Sequence, residues 1–195
     1  MTKHIDLANI KEPLEVVSKR LQNALRVMTE EKDKIVKLYY ATSIATTGES
    51  VDSIRIANNL RQLGYEVYAA AENKAINDKS NDPTPADIYD GDVSEILSSD
   101  IFVVNLTGGH QDGTISEIGL VAGLNERGAN IPIIAFTTNT RLLQPQHYWN
   151  IPSASANHLV LGMIERHGTF VGDERNLYEY LSKENNNELT IQTTI

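Results

Sequence analysis

The chain has 195 residues, 41% of them hydrophobic, which suits a single domain with a true core. With 26 acidic against 17 basic residues and a formal charge of -9, its surface repels nucleic-acid phosphate and argues against a DNA or RNA partner. Cysteine is absent, which removes disulfides, thiolate zinc sites and thiol nucleophiles from consideration.

The opening residues, MTKHIDLANIKEPLEVV, lack the basic flank and unbroken apolar stretch of a secretion signal. No run of about 18 apolar residues follows, so the expected setting is cytoplasmic, without a membrane partner. Over residues 12–33, Leu14, Val17, Leu21, Leu25 and Met28 recur every three or four positions, which predicts a helix docking one apolar stripe. VKLYYA (36–41) reads as a strand, TSIATTGES as a hydroxyl-rich loop, and SIRIANNLRQLG as a helix stopped by glycine. The alternation then repeats: strands at YEVYAAA (65–71), IFVVNL (101–106) and IPIIAF (131–136), with helices near 85–98 and 114–126. A long loop, TTNTRLLQPQHYWNIPS, leads to a helix around 155–166, a short strand TFV (169–171) and a helix at 174–183. This order predicts a single doubly wound α/β domain, flavodoxin- or Rossmann-like, whose mainly parallel five-stranded sheet is covered on both faces. It occupies residues 36–184, preceded by an N-terminal helical extension (1–35) and followed by a polar, then β-prone tail (185–195).

In such a sheet, ligands bind beyond the carboxyl ends of the strands, which draws attention to the segment after IFVVNL, TGGHQDGTISEIGLVAGL (107–124). Gly108, Gly109 and Gly113 allow tight bends and close approach of a ligand, and the amides opening the next helix favour a negative group. Glu117, in the predicted first turn, shares a face with Val121 and Leu124 and so borders the packed side. A purely structural reading fits the same spacing: Thr114 and Glu117 spell T-x-x-E, a capping box, and Asp112 suits an N-cap or turn. Asp92, eight residues before Asp100, is either a solvated helix acid or a second functional carboxylate, with Asp90 in its place if the helical register differs. Tyr39 and Tyr40 point to opposite faces of their strand, so only one can look into a given crevice.

Together KLYYA, Asp92 eight residues before Asp100, SDIFVVNL and GGHQDGTISEIG resemble the nucleoside 2-deoxyribosyltransferase family, over about residues 36–182. The most specific segment is D-G-T-x-x-E-x-G. The resemblance implies a nucleophile at Glu117, a tyrosine that positions it at Tyr39, and acids that hold and protonate the base at Asp92 and Asp112. It also implies that Asn157 reaches the sugar in an adjacent subunit, hence a homo-oligomer with shared active sites. The implied activity is transfer of a 2-deoxyribosyl group between nucleobases through a covalent glutamyl-sugar intermediate. Nucleosides and nucleobases are then the partners, with no metal and no other cofactor called for; His110, His147, His158 and His167 are too scattered to propose a metal set.

Two departures stand out. The family usually has one more residue between its aspartate and the Gly-Thr pair. Here also, Thr42, Ser43, Thr46, Thr47, Gly48 and Ser50 form a hydroxyl-rich stretch where many transferases have small or aromatic residues. Such a stretch can hold a phosphate, as in the related deoxynucleoside 5'-monophosphate N-glycosidases, or be an ordinary polar turn. Candidate substrate contacts are therefore Thr42, Ser43, Gly109, His110, Gly113 and Asn157. A hydrolase of nucleosides or their 5'-monophosphates stays open beside the transferase, as does a non-catalytic nucleotide-binding module.

Overall fold

The computed structural model describes residues 16–23, 35–77, 82–108, 111–143, 147–148, 151–152 and 156–191. The chain divides into two compact units, residues 1–35 and 36–195. In the first, helix α1 covers residues 16–23, and the rest of the helix predicted over 12–33 lies outside the described residues.

The second unit runs β1 (Lys37–Ala41), α2 (Thr47–Gln62), β2 (Glu66–Ala69), a 3-10 turn (Ala70–Glu72), α3 (Lys74–Asn77), α4 (Pro85–Leu97), β3 (Ile101–Asn105) and α5 (Asp112–Asn125). It continues with β4 (Ile133–Phe136), a 3-10 turn (Thr140–Leu143), β5 (His147–Tyr148), β6 (Ile151–Pro152), α6 (His158–His167), β7 (Gly168–Gly172) and α7 (Glu174–Ile191). Five strands form one sheet in the order β2-β1-β3-β4-β7, every neighbouring pair parallel. That is the expected doubly wound α/β architecture, in its flavodoxin-like strand order. Inside the long loop after β4, β5 and β6 pair as a small antiparallel ribbon.

Several boundaries differ from the sequence expectation: the strand expected at 65–71 ends at Ala69 and gives way to a 3-10 turn, the helix expected around 155–166 begins at His158, and the starts of α2 and α5 and the end of α7 shift for local reasons. Helix α2 starts at Thr47, because Thr46 caps it: its side chain accepts from the Glu49 amide while the Glu49 carboxylate accepts from the Thr46 amide. Thr47, Gly48 and Ser50 therefore belong to a helix, which shortens the hydroxyl loop. Helix α5 starts at Asp112, two residues before Thr114, with Gln111 as N-cap. Helix α7 runs on to Ile191, through residues whose composition marks a tail; a helix already anchored by buried Leu177 and Leu181 extends at little cost per residue.

Strand alternation sends successive side chains to opposite layers. Leu38, Tyr40, Val103, Ile134 and Phe136 pack with Ile56, Ala57 and Leu60 of α2 and Leu177 and Leu181 of α7. Tyr39, Ala41, Phe102, Val104, Ile133 and Ala135 pack with Ile96, Ile118, Val121, Val160 and Ile164 from α4, α5 and α6. At the carboxyl rim the loops after β3 and β4 are tied together. Asn105 accepts from the Thr138 amide at 3.0 Å, Thr137 Oγ1 donates to the Leu106 carbonyl at 2.5 Å, and Asn139 Nδ2 donates to the Thr107 carbonyl at 2.8 Å. Gly108 has φ 76°, a left-handed conformation that favours glycine, and a Cβ there would lie 2.6 Å from Asn139 Nδ2 and push that side-chain end aside.

Candidate active site

The strand order reverses around β1, with β2 on one side and β3 on the other, the place where open α/β sheets bind ligands beyond the carboxyl ends of their strands. Parallel register sets Tyr39 of β1 beside Tyr68 of β2 and Phe102 of β3. The three rings stack across the sheet, Tyr39 to Tyr68 at 5.1 Å and Tyr39 to Phe102 at 5.5 Å between centroids. Such contacts contribute roughly 0.5–1.5 kcal/mol each beyond area burial and hold the Tyr39 ring in one orientation. Its hydroxyl donates to Glu117 Oε1 at 2.5 Å. The Tyr68 hydroxyl donates to Asp92 Oδ1 at 3.0 Å and accepts from Asn73 Nδ2 at 3.0 Å.

Thus Tyr39, Asp92 and Glu117, from β1, α4 and α5, are brought together. Glu117 lies in the second turn of α5 and only partly exposed, bonded to Tyr39 and not to the start of its own helix, so the capping-box reading of Thr114 and Glu117 is overturned. The physical reason is the earlier helix start, which places buried Thr114 inside the helix. Asp92 is not a solvated helix acid, and Asp90, the alternative, is exposed.

Asp112 departs from expectation. It is the first residue of α5, exposed, and about 140° around the helix from Glu117 at 100° per residue. It lines a different cleft, of about 630 Å³ between α5 and α6, together with Gln111, Ile115, Asn157 and Met163. Asn157 caps α6, accepting from the Leu159 amide at 2.9 Å, and so does not join the Glu117 set within this chain. Gly113 sits inside α5 without a positive φ, and no heavy atom lies within 4 Å of where a Cβ would stand, so it makes no tight bend. Gly109 and His110 lie outside the described residues. Ser43 is buried and Thr42 partly buried in the loop after β1.

Tyr68 and Asn73 are members of this cluster that no sequence pattern singles out. The parallel β1–β2 register that sets Tyr68 beside Tyr39 is the signal that reveals Tyr68, and it is a tertiary one.

The electrostatics follow from enclosure. Burial raises the Glu117 carboxyl from 4.5 to about 7; the Tyr39 hydrogen bond opposes the rise and the Asp92 charge adds to it. Asp92 is pushed up as well, by burial first, against hydrogen bonds with Tyr68 and Tyr39. Burial, then the charges of Glu117 and Asp92, drive Tyr39 far above the usual phenol range, so it stays a protonated donor. The two carboxyls therefore act on each other electrically: the Asp92 charge disfavours ionisation of Glu117. Among the described residues, no group of three or more His, Asp or Glu is placed to hold a metal ion, and no helix is long and apolar enough to cross a membrane.

A family model described as nucleoside 2-deoxyribosyltransferase matches residues 38–186. The chain belongs to that family. It therefore shares its fold and stands among enzymes that act on nucleosides and nucleobases. No curated protein gives a significant match. Among solved structures, a conserved protein from Enterococcus faecalis is similar with a TM-score of 0.62 at 25% identity, over 77% of this chain and 99% of that one. The 2-deoxyribosyltransferase of the psychrotolerant bacterium Bacillus psychrosaccharolyticus gives 0.50 at 17% identity, over 73% of this chain and 90% of that one, a likeness of fold. A Clostridium botulinum CMP N-glycosidase gives 0.46 at 17% identity, over 75% and 96%.

Proposed function

We propose that this protein transfers a 2-deoxyribosyl group from one nucleobase to another by double displacement. Glu117 attacks C1' as the glycosidic bond breaks, forming a glycosyl ester, and Asp92 gives its proton to the departing base. The nitrogen of a second base then bonds to C1' as the ester C1'–O bond breaks; Glu117 leaves as a carboxylate and the incoming base returns a proton to Asp92. The observation that carries this reading is the Tyr39 to Glu117 hydrogen bond of 2.5 Å with Asp92 alongside. A carboxylate held in this way can stabilise the cation-like sugar and then trap it, as in retaining glycosidases. Lacking an electron-withdrawing 2'-hydroxyl, a 2-deoxy sugar forms that cation more readily, which suits a site of two acids and a phenol. Asp112 receives no proton-transfer role in this reading, because it faces the other side of α5.

The substrate is read as an unphosphorylated nucleoside. The start of α2, where a 5'-phosphate would find backbone amides, already carries a negative group: Glu49 Oε2 accepts from the Thr46 amide at 2.8 Å and from Thr46 Oγ1 at 2.9 Å. Against the desolvation that raises it, hydrogen bonds from Ser43 and Thr46 hold the Glu49 carboxyl below its ordinary value, so it is an anion at neutral pH. The hydroxyls that suggest a phosphate loop are in part turned onto the protein's own carboxylate. A second phosphate-sized anion there meets repulsion.

Incubation with one deoxynucleoside and a different free base tests the proposal. The swapped nucleoside is the expected product; free deoxyribose alone identifies a hydrolase, and faster turnover of the 5'-monophosphate rejects the nucleoside reading. We also carry the homo-oligomer as a proposal, checked by sedimentation at micromolar concentration.

A further inference from the structure

Asp92 is held by a hydrogen-bond chain whose direction can be read from its far end. Asn73 Oδ1 accepts from the Ala75 amide at 3.1 Å, which fixes the side-chain amide in one of its two orientations. Its Nδ2 therefore faces Tyr68 and, having only hydrogens to offer, donates to the Tyr68 oxygen at 3.0 Å. The single proton of that phenol goes to Asp92 Oδ1, also at 3.0 Å. Stacking of the Tyr68 ring on Tyr39, at 29° between planes, keeps the hydroxyl from swinging away.

We propose that Asn73 and Tyr68 are positioning residues that decide which oxygen of Asp92 carries its transferable proton: Oδ1 accepts from Tyr68, so the proton sits on Oδ2. This rests on the role given to Asp92 above. In the first half-reaction the C1'–N bond breaks and its electron pair goes to the base nitrogen. That nitrogen takes the proton from Asp92 Oδ2, while a Glu117 oxygen bonds to C1'. The negative charge left on Asp92 is met by the Tyr68 hydroxyl, already aligned, so no donor has to reorganise as charge develops. Tyr68 keeps its own proton throughout, burial pushing it up to about 12. The charged and titratable groups facing Asp92 are Tyr39 of β1, Tyr68 of β2, Glu95 on its own helix and Glu117 of α5. Among these, Tyr68 donates to Asp92 in a direction set by a third residue.

Two variants and two readouts test this. In the ligand-free protein with carbon-13-labelled aspartate carboxyls, Tyr68→Phe is expected to raise the Asp92 titration by about one pKa unit, because a donor to the charged form is lost. In turnover, kcat is expected to fall about 10- to 100-fold with KM nearly unchanged. Asn73→Asp keeps the phenol and its stacked ring but offers only an acceptor, which draws the Tyr68 proton away; it should reproduce the kcat loss. An Asp92 titration unmoved by Tyr68→Phe, or an Asn73→Asp protein as active as the parent, overturns the assignment. If the titration moves but the parent protein exchanges no bases, the transferase reading fails and the hydrogen-bond assignment stands.

Discussion

The starts of α2 and α5 carry the same sequence signature, a threonine three residues before a glutamate, and put it to opposite uses. At α2, Thr46 and Glu49 satisfy each other's backbone amides, and the carboxyl is held below its ordinary value. At α5 the helix begins two residues before Thr114, so Glu117 has no orphan amide to satisfy; it bonds Tyr39 instead, and burial raises it to about 7. The motif therefore does not decide the role. The position of the helix start relative to the threonine does, together with the side of the helix that meets the sheet.

The largest expected difference between the two glutamates is in turnover. Glu117→Gln should lower kcat by about a thousandfold or more, by removing the group proposed to attack C1', whereas Glu49→Gln, which still completes a capping box, should stay within about twofold. Steady-state base exchange measures both. Comparable losses at the two positions would erase the contrast.

Next in size is an effect on stability with opposite sign to the usual one. The Glu117 carboxyl has a higher pKa folded than unfolded, so the native state binds more protons between 4.5 and about 7, and stability falls as pH rises through that window. The rise, at about 1.4 kcal/mol per pKa unit, corresponds to about 3 kcal/mol. Glu117→Gln is therefore expected to be more stable than the parent by up to about 3 kcal/mol at pH 8 and by little at pH 4.5, measured by urea unfolding. Such a cost, retained at one buried acid, belongs to a group kept for chemistry. An equal stability difference at both pH values rejects the burial of charge as its cause.

A smaller loss is expected from Tyr39→Phe. The proposed nucleophile must be ionised to act, so kcat/KM of the parent should fall as pH drops below about 7. The Tyr39 hydroxyl lowers the Glu117 value; without it the acid limb moves to higher pH, and a move of about one unit lowers kcat/KM at pH 7 about fivefold. A pH profile of the variant with an unmoved acid limb would separate a packing role for Tyr39 from its hydrogen bond.

What can be read from sequence tracks how local the determining physics is. IFVVNL and IPIIAF, apolar throughout, announce strands covered on both faces, and the alternation with helices leads to the parallel sheet that is found. Glu117, Tyr39 and Asp92 are legible because the family motif and strand alternation constrain them separately. The side of α5 that Asp112 takes is not legible because it depends on whether the residue lies in the loop or opens the helix, and sequence patterns set that boundary only to within a few residues. Tyr68 and Asn73 escape notice because their partner is fixed by the register between β1 and β2, which no window of sequence contains. The extension of α7 escapes for a related reason: Asn185 to Asn187 read as weak helix formers, while the anchor lies upstream at Leu177 and Leu181.

The smallest effect sharpens the comparison at the threonines. Thr46→Ala removes the acceptor for the Glu49 amide and should cost about 1 kcal/mol of stability, the usual value of an N-cap, with base exchange changed by less than about twofold. Stability comes from urea unfolding, and turnover from the same exchange assay. The informative failure is the reverse pattern, a protein of parental stability whose turnover collapses. That outcome would mean that the Thr46 hydroxyl serves a substrate and not the helix. Glu49 would then sit at a site vacated on binding, and the case for an unphosphorylated nucleoside, which depends on that carboxylate staying where it is, would fall with it.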